Sequence, residues 1–243
     1  MGPWDFNIFL QRVPTGDTTY LGWLLQGLRT TVLVSACAWA VALLLGTLLG
    51  VLRTVPSRGL RAIATVYVEL FRNVPLLAQL FIWYFVVPEI VPGGERFKQI
   101  DPWLQQFVAS VACLGLFTAA RVCEQVRAGI ESLSRGQRNA ALALGLTLPQ
   151  TYRHVLLPMA ARIIVPPLTS ETLNVFKNSA VCSTIGLLEL TAQGRQLVDY
   201  TARAYESFFA VTVLYLVLNA LVLLVMRRVE RRTRVPGYLG AGR

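Results

Sequence analysis

The stretch TTVLVSACAWAVALLLGTLLGVL, residues 30–52, runs for 23 residues without a charged side chain. An α-helix rises about 1.5 Å per residue, so roughly 20 apolar residues cross the hydrocarbon layer of a bilayer. A chain that holds such a stretch is solvated partly by lipid, where only helices and closed barrels satisfy their backbone groups. Composition agrees with that reading. Hydrophobic residues make up 54% of the chain and charged residues only 15%, against roughly 25% charged in a soluble domain.

Working outward, residues 207–226 give a second uninterrupted apolar run of 20. Residues 103–120 give a third, and its helical pattern continues past Arg121. Two further runs are interrupted. Residues 62–87 contain Glu69, Arg72 and Pro75, and residues 162–190 contain Pro166, Pro167, Glu171 and Lys177. The fold predicted is an all-α, polytopic membrane protein of five transmembrane helices, with residues 1–243 forming one transmembrane domain. Residues 1–19 are polar and carry Asp5, Arg12 and Asp17 in place of a basic leader, so the first run is expected to stay as a helix.

Lysine and arginine remain on the cytoplasmic side of membrane proteins. Arg53, Arg58 and Arg61 follow the first run, and Arg135, Arg138, Arg153 and Arg162 follow the third. Arg227, Arg228, Arg231, Arg232 and Arg234 follow the fifth. The intervening segments are balanced: Glu89, Glu95, Arg96, Lys98 and Asp101 in one, Arg195, Asp199, Arg203 and Glu206 in the other. This alternation predicts a periplasmic N-terminus and a cytoplasmic C-terminus. It also assigns the net charge of +10 to a membrane surface and not to nucleic acid, because the basic residues cluster between apolar runs.

Cys37, Cys113, Cys123 and Cys182 each lie in an apolar stretch without a C-x-x-C spacing, and are expected to be small buried residues. His154 sits among polar residues with no metal-ligand company. No G-x-x-x-x-G-K-[ST], H-E-x-x-H or G-x-S-x-G occurs, so no phosphate-binding loop, metal site or catalytic nucleophile is expected. There is no internal repeat, and five spans do not divide into inverted halves as many secondary carriers do.

The segment of about residues 131–160 is too polar to span and too patterned to be slack. Asn139, Ala140 and Ala141 are expected to open a short helix, and Leu142, Leu144, Leu146 and Leu148 to give it an apolar surface. Gly145 is expected to let another backbone approach, and Leu157 and Pro158 to close the loop. Such a helix must cover its leucines with lipid interface or with a partner protein.

The pattern N-A-A-x3-G-x9-V-L-L-P over residues 139–158 resembles the cytoplasmic E-A-A-x3-G-x9-I-x-L-P signature of binding-protein-dependent ABC importer permeases. Asn139 stands where the signature has an acidic residue, and Val155 where it has isoleucine. The segments GDTTYLGWLLQGLRTTV (16–32), YVELFRNVPLLAQLFIWY (67–84), CLGLFTAARVCEQVRAGIESL (113–133) and VPPLTSETLNVFKNSAVCSTIGL (165–187) resemble the polar amino-acid permeases. The combination is most similar to a glutamate/aspartate transport permease subunit; relatives for glutamine, histidine and arginine share much of it. The resemblance implies a coupling helix seated on an ATPase subunit. It also implies a second, unlike permease, two copies of the ATPase, a periplasmic substrate-binding protein and an amino-acid substrate. ATP would be bound by the ATPase, with no cofactor on this chain.

Ionisable residues at membrane depth cost on the order of 2.5–3.5 kcal/mol each at a helix centre, and usually face a bundle interior. Glu69 and Arg72, Arg121 and Glu124, and Glu124 and Arg127 are each three apart, which predicts neutralising pairs on one helix face. Lys177 has no helical partner, since Glu171 lies six residues away; Asn178 and Ser179 beside it can hydrogen-bond. Glu69, Arg72, Glu124, Lys177, Asn178 and Ser179 are therefore the expected substrate pathway. The competing readings are structural ion pairs between helices, or a proton relay in an ion-coupled carrier. Pro75, Pro166 and Pro167 are expected to break or kink their helices.

Overall fold

The computed structural model describes residues 4–14 and 16–233. Arg234 and the C-terminus, for which a cytoplasmic position is expected, lie outside the described residues. The described residues are helical almost throughout. Helix α1 is Tyr20–Leu52, α2 is Arg58–Asn73 and α3 is Leu76–Ile90. A short α4, Gly94–Gln99, precedes the long α5, Pro102–Glu131. Then come α6, Arg135–Ala143, α7, Leu148–Thr151, and α8, Leu157–Asn178. A 3₁₀ turn, Ser179–Ile185, leads to α9, Leu190–Thr201, and α10, Ala204–Thr233.

Among the described residues, α1, α5 and α10 are each long and apolar enough to cross a membrane. The pair α2 and α3 qualifies together as one broken span. The break is local and has a cause. Val74 is extended (φ −99°, ψ 131°), the conformation that a following proline forces, and Pro75 is extended in turn (φ −57°, ψ 138°) before α3 begins. Helix α8 is 22 residues long, yet it is not among the three, because Arg162, Glu171 and Lys177 interrupt its apolar content. Pro166 and Pro167, expected to break or kink this helix, lie inside it without ending it.

The chain forms two compact units. The first comprises the described residues of Met1–Ala40, Pro75–Gly115 and Asn174–Leu221. Its core gathers Val34, Ala38, Leu80, Leu114, Val175, Cys182 and Leu187, and a second cluster joins Trp23, Leu24, Leu190, Leu197 and Val211. Glu189 is fully buried. Its carboxylate caps α9 by accepting the Ala192 N–H at 2.8 Å and also accepts the Tyr215 hydroxyl at 2.8 Å. Three of the cysteines are buried as expected, but Cys37 is exposed.

The second unit comprises Val41–Val74, Leu116–Leu173 and the described residues of Val222–Arg243. Here α1 meets α5 at Gly46 and Gly50. A Cβ at either position would come within 2.6 Å of the Cβ of Val122 or Val126. This small-x-x-x-small spacing lets two helices approach closely without a side chain between them. Gly129 of α5 does the same toward Ile164 of α8, where a Cβ would meet Cγ1 at 2.3 Å. These contacts hold α1, α5 and α8 together within this unit, and they fix the charged face of α5 in place.

Candidate functional site

That face carries Arg121, Glu124, Arg127 and Glu131, spaced at three, three and four residues along one side of α5. Glu124 is the hub. One carboxylate oxygen pairs with the Arg53 guanidinium just beyond the end of α1, and lies 3.7 Å from Arg72 Nη1 on α2. The other accepts from Arg127 Nη2 at 2.9 Å and Nε at 3.2 Å. Arg127 also pairs with Glu131. Arg121 turns the other way. Its Nη1 lies 3.7 Å from Glu171 Oε2 on α8, and its guanidinium lies 5.0 Å from the Phe117 ring centre.

Two expected pairs are thereby corrected. Glu69 does not pair with Arg72; its carboxylate is exposed and accepts from Asn73 Nδ2 at 3.0 Å. Arg121 does not pair with Glu124 but with Glu171. In both cases a carboxylate on another helix, or a hub already holding other arginines, lies closer than the neighbour three residues along. Pairing by spacing sees one helix at a time, so it gave no partner to Arg53 or to Glu171. The signal available for Glu171 was its distance of six residues from Lys177, which required a partner from elsewhere.

A cavity of about 340 Å³ opens among Arg72, Phe117, Arg121, Glu124, Gln125 and Glu171. It presents two guanidiniums and two carboxylates. The Arg72–Glu124 and Arg121–Glu171 contacts, at 3.7 Å each, are ion pairs too long to be hydrogen bonds. Both arginines therefore keep donors for another anion. Glu171 Oε2 is buried and has no hydrogen-bond partner among the described residues, although its side chain is only 12% exposed. The cavity can thus receive carboxylates at the arginines and an ammonium at Glu171.

Lys177, Asn178 and Ser179 belong to the first unit. Ser179 is buried and donates to the Phe176 carbonyl at 2.8 Å. Asn178 is half-buried at the end of α8. Lys177 is exposed, makes no ion pair among the described residues, and borders a recess of about 430 Å³ shared with Thr191, Thr212, Tyr215 and Asn219. Glu69 and Glu124 are engaged by Asn73 and by the arginines described above.

The segment expected as a patterned loop is more ordered than that. Helix α6 starts at Arg135, so Asn139 and Ala140 lie in its middle, exposed, and Ala141 is buried. They do not open the helix. Gly145 ends it in the left-handed conformation (φ 84°). The Gly145 N–H bonds Leu142 O at 3.0 Å and the Leu146 N–H bonds Ala141 O at 3.2 Å, a Schellman cap whose left-handed residue glycine supplies without a Cβ clash. No atom lies within 4 Å of a Cβ built at Gly145. Left-handed geometry, and not close approach within this chain, is what requires glycine there. Leu142 and Leu144 are exposed, 40% and 83%, so α6 presents an uncovered apolar side. Thr147 and Gln150 then form a reciprocal capping box that starts α7.

Leu157 and Pro158 open α8 and do not close a loop. The turn before them, Tyr152–Leu156, is a π-helix in which the Leu157 N–H reaches back five residues to Tyr152 O. Widening the helix there absorbs the donor that Pro158 lacks. The same device occurs at Ile82–Val86, one residue before Pro88, with the Val87 N–H on Ile82 O.

A helical membrane chain that has both an exposed, capped amphipathic helix of this signature and a charged cavity among α2, α5 and α8 has the parts of a transport component. The family model of the binding-protein-dependent transport system inner membrane component matches residues 42–235, and the chain belongs to that family. It is 58% identical over 240 residues to the glutamate/aspartate import permease protein GltJ of Escherichia coli K12, covering 98% of both chains. It is 32% identical over 212 residues to the glutamine transport system permease protein GlnP of the same strain, covering 87% of this chain and 93% of that one. Among solved structures, an amino acid ABC transporter with histidines superposes with a TM-score of 0.74 at 30% identity, over 88% of this chain and 95% of that one.

Proposed function

We propose that this chain is one of two unlike permease subunits of an ATP-driven importer of glutamate and aspartate. The observation that carries the reading is the 58% identity to GltJ along nearly the whole of both chains. Its partners in this reading are a second permease, a pair of ATPase subunits and a periplasmic substrate-binding protein. Five spans in the bacterial inner membrane, N-terminus outside and C-terminus inside, accommodate every basic and balanced loop. Helix α6, with Asn139, Ala140, Ala141 and Gly145, is the coupling element, and Leu142 and Leu144 are the side chains the ATPase would cover.

The cavity between α2, α5 and α8 supports an acidic substrate. An amino acid brings one ammonium and one carboxylate, and glutamate or aspartate brings a second carboxylate. Arg72 and Arg121 match two carboxylates, and Glu171 matches the ammonium. Glu124, already holding Arg53 and Arg127, sets the framework. Lys177, Asn178 and Ser179 contribute a further stretch of the pathway, and Glu69 flanks Arg72 on α2.

The test is reconstitution of the four-component system in liposomes with labelled amino acids. ATP-dependent uptake of glutamate and aspartate, with glutamine and histidine carried at least about tenfold less well, is expected. Equal uptake of all four amino acids would overturn the substrate assignment. Uptake that persists without the ATPase subunit would overturn the transporter class in favour of an ion-coupled carrier.

A further inference from the structure

The last turns of α10 carry Leu224, Arg227, Arg228 and Arg231; Arg227 and Arg228 lie three and four residues after Leu224, and four and three before Arg231, which puts the four on one helix face. These four side chains line a recess of about 470 Å³. Like charges at such spacing repel, and a carboxylate on the same segment would ordinarily answer them. The one carboxylate available there, Glu230, is turned away, because its Oε1 accepts the Thr169 hydroxyl on α8. Among the described residues none of Arg227, Arg228, Arg231 and Arg232 makes an ion pair. The stripe is left open and uncompensated.

The composition changes abruptly along this face. Leu224 and Val225 are 60% and 62% exposed, and the apolar window of α10 is almost wholly uncovered. From Arg227 onward the same face is guanidinium. An exposed apolar surface ending in a basic turn, on a helix long enough to cross a membrane, places its arginines at headgroup depth. Every basic residue between 226 and 233 is arginine, whose planar fork binds phosphate oxygens two at a time where lysine offers a point charge.

We infer that the recess of Leu224, Arg227, Arg228 and Arg231 is a binding site for an anionic phospholipid, with the phosphate on the arginines and an acyl chain along Leu224 and Val225. The ligand has to combine phosphate with hydrocarbon at one boundary. A free phosphate satisfies the arginines and leaves the leucine bare, and a zwitterionic lipid cancels the attraction with its own cation. The inference rests on α10 crossing the bilayer and is independent of the transported substrate.

The purified complex in nanodiscs of phosphatidylglycerol and phosphatidylcholine tests it, with bound lipid counted by native mass spectrometry after exchange into detergent. The wild type is expected to retain phosphatidylglycerol selectively, and each Arg→Gln change at 227, 228 or 231 to weaken retention roughly fivefold. The triple Arg→Lys variant is expected to retain part of the binding, which separates loss of charge from loss of fold. Arg232→Gln, outside the recess, is expected to change little. Competition by inorganic phosphate at millimolar concentration would show that an anion site without acyl recognition is present and would overturn the lipid assignment. So would unchanged retention in the triple Arg→Gln variant that still assembles. Loss of the ATPase partner from that variant with lipid retained would reassign the stripe to a protein contact.

Discussion

Residues 62–87 and 162–190 look alike as sequence: both are apolar runs broken by prolines and charges. Their structures differ at each of those features. Pro75 ends a helix, with Val74 already extended before it, whereas Pro166 and Pro167 lie inside a continuous α8. Glu69 is exposed and bonded to a neighbour on its own helix, whereas Glu171 is drawn under Arg121 of another helix. The difference teaches that a proline or a buried charge is decided by what packs beside it. Where Gly129 and Ile164 hold α8 tightly against α5, tertiary packing outweighs a local breaker.

The sharpest way to break this comparison is to neutralise the two carboxylates in parallel. Glu171→Gln is expected to reduce uptake by at least about tenfold, since it removes the buried carboxylate proposed to meet the substrate ammonium and leaves Arg121 without its ion-pair partner. Arg121→Gln should do the same. Glu69→Gln should leave uptake within about twofold of wild type, as exposed polar contacts contribute little. Uptake assays in proteoliposomes, with assembly checked by co-purification, read all three. Equal damage from Glu69→Gln and Glu171→Gln would erase the distinction between the two regions.

The next contrast sets Gly145 against the packing glycines. Gly145→Val forces a β-branched residue into the left-handed region, at a cost of about 1–2 kcal/mol to the α6 cap. It is expected to lower ATPase co-purification several-fold. Gly145→Asn, which tolerates that conformation, should retain most of it. If asparagine is as harmful as valine, the glycine serves close approach by the partner, as its sequence context suggests, and not backbone geometry alone.

How much of this was legible in the sequence depends on the range of the interaction. The all-helical class and the apolar runs 30–52, 103–120 and 207–226 inside three long helices follow from local apolar content, which dominates wherever no charge intervenes; the extension of those helices to Tyr20, Glu131 and Thr233 passes through charged residues and comes from the fold. The amphipathic segment around Asn139 was also legible, yet its start at Arg135 and its Schellman end were not, because cap geometry depends on backbone dihedrals and not on periodicity. The Gly46-x-x-x-Gly50 spacing stands in the sequence as a small-residue pair, but it is not among the features singled out from sequence, and its contact with α5 appears only in the fold. The charge hub at Glu124 was half legible: Arg127 is on the same helix, but Arg53 and Arg72 come from two others. Arg53 read as a loop charge because it directly follows an apolar run, and only folding brings it to α5.

Proline substitution gives a smaller effect, read in stability in one region and in uptake in the other. Pro167→Ala restores a backbone donor inside α8 and removes a helix-interior proline, an intrinsic penalty of about 3 kcal/mol. Much of that is already absorbed by packing, so a modest rise in thermal stability is the expected outcome in a detergent melt. Pro75→Ala removes the constraint that keeps Val74 extended and lets helix propagate across the break. It is expected to leave stability near wild type while lowering uptake a few-fold. A Pro75→Ala protein with full transport would show that the break is incidental.

The smallest expected effect lies just beyond the first region, where Lys98 bridges Glu89 at 2.6 Å and Glu95 at 3.1 Å. The hydrogen bonds to Glu89 and then Glu95 hold the Lys98 ammonium protonated above its ordinary range. A folded-state value raised above the unfolded one stabilises fully below the unfolded value and fades only as pH rises through the raised one. The contribution is therefore constant from about pH 6 to pH 9. It is also small, because both carboxylates are exposed and Lys98 is only half-buried, so the ion pairs are weak and screened. Lys98→Gln is expected to melt at the wild-type temperature within error across that range, and at both low and high salt. A pH-dependent loss of stability below pH 9 in this variant, absent from wild type, would mean that the loop charges are coupled to the core as the α5 charges are.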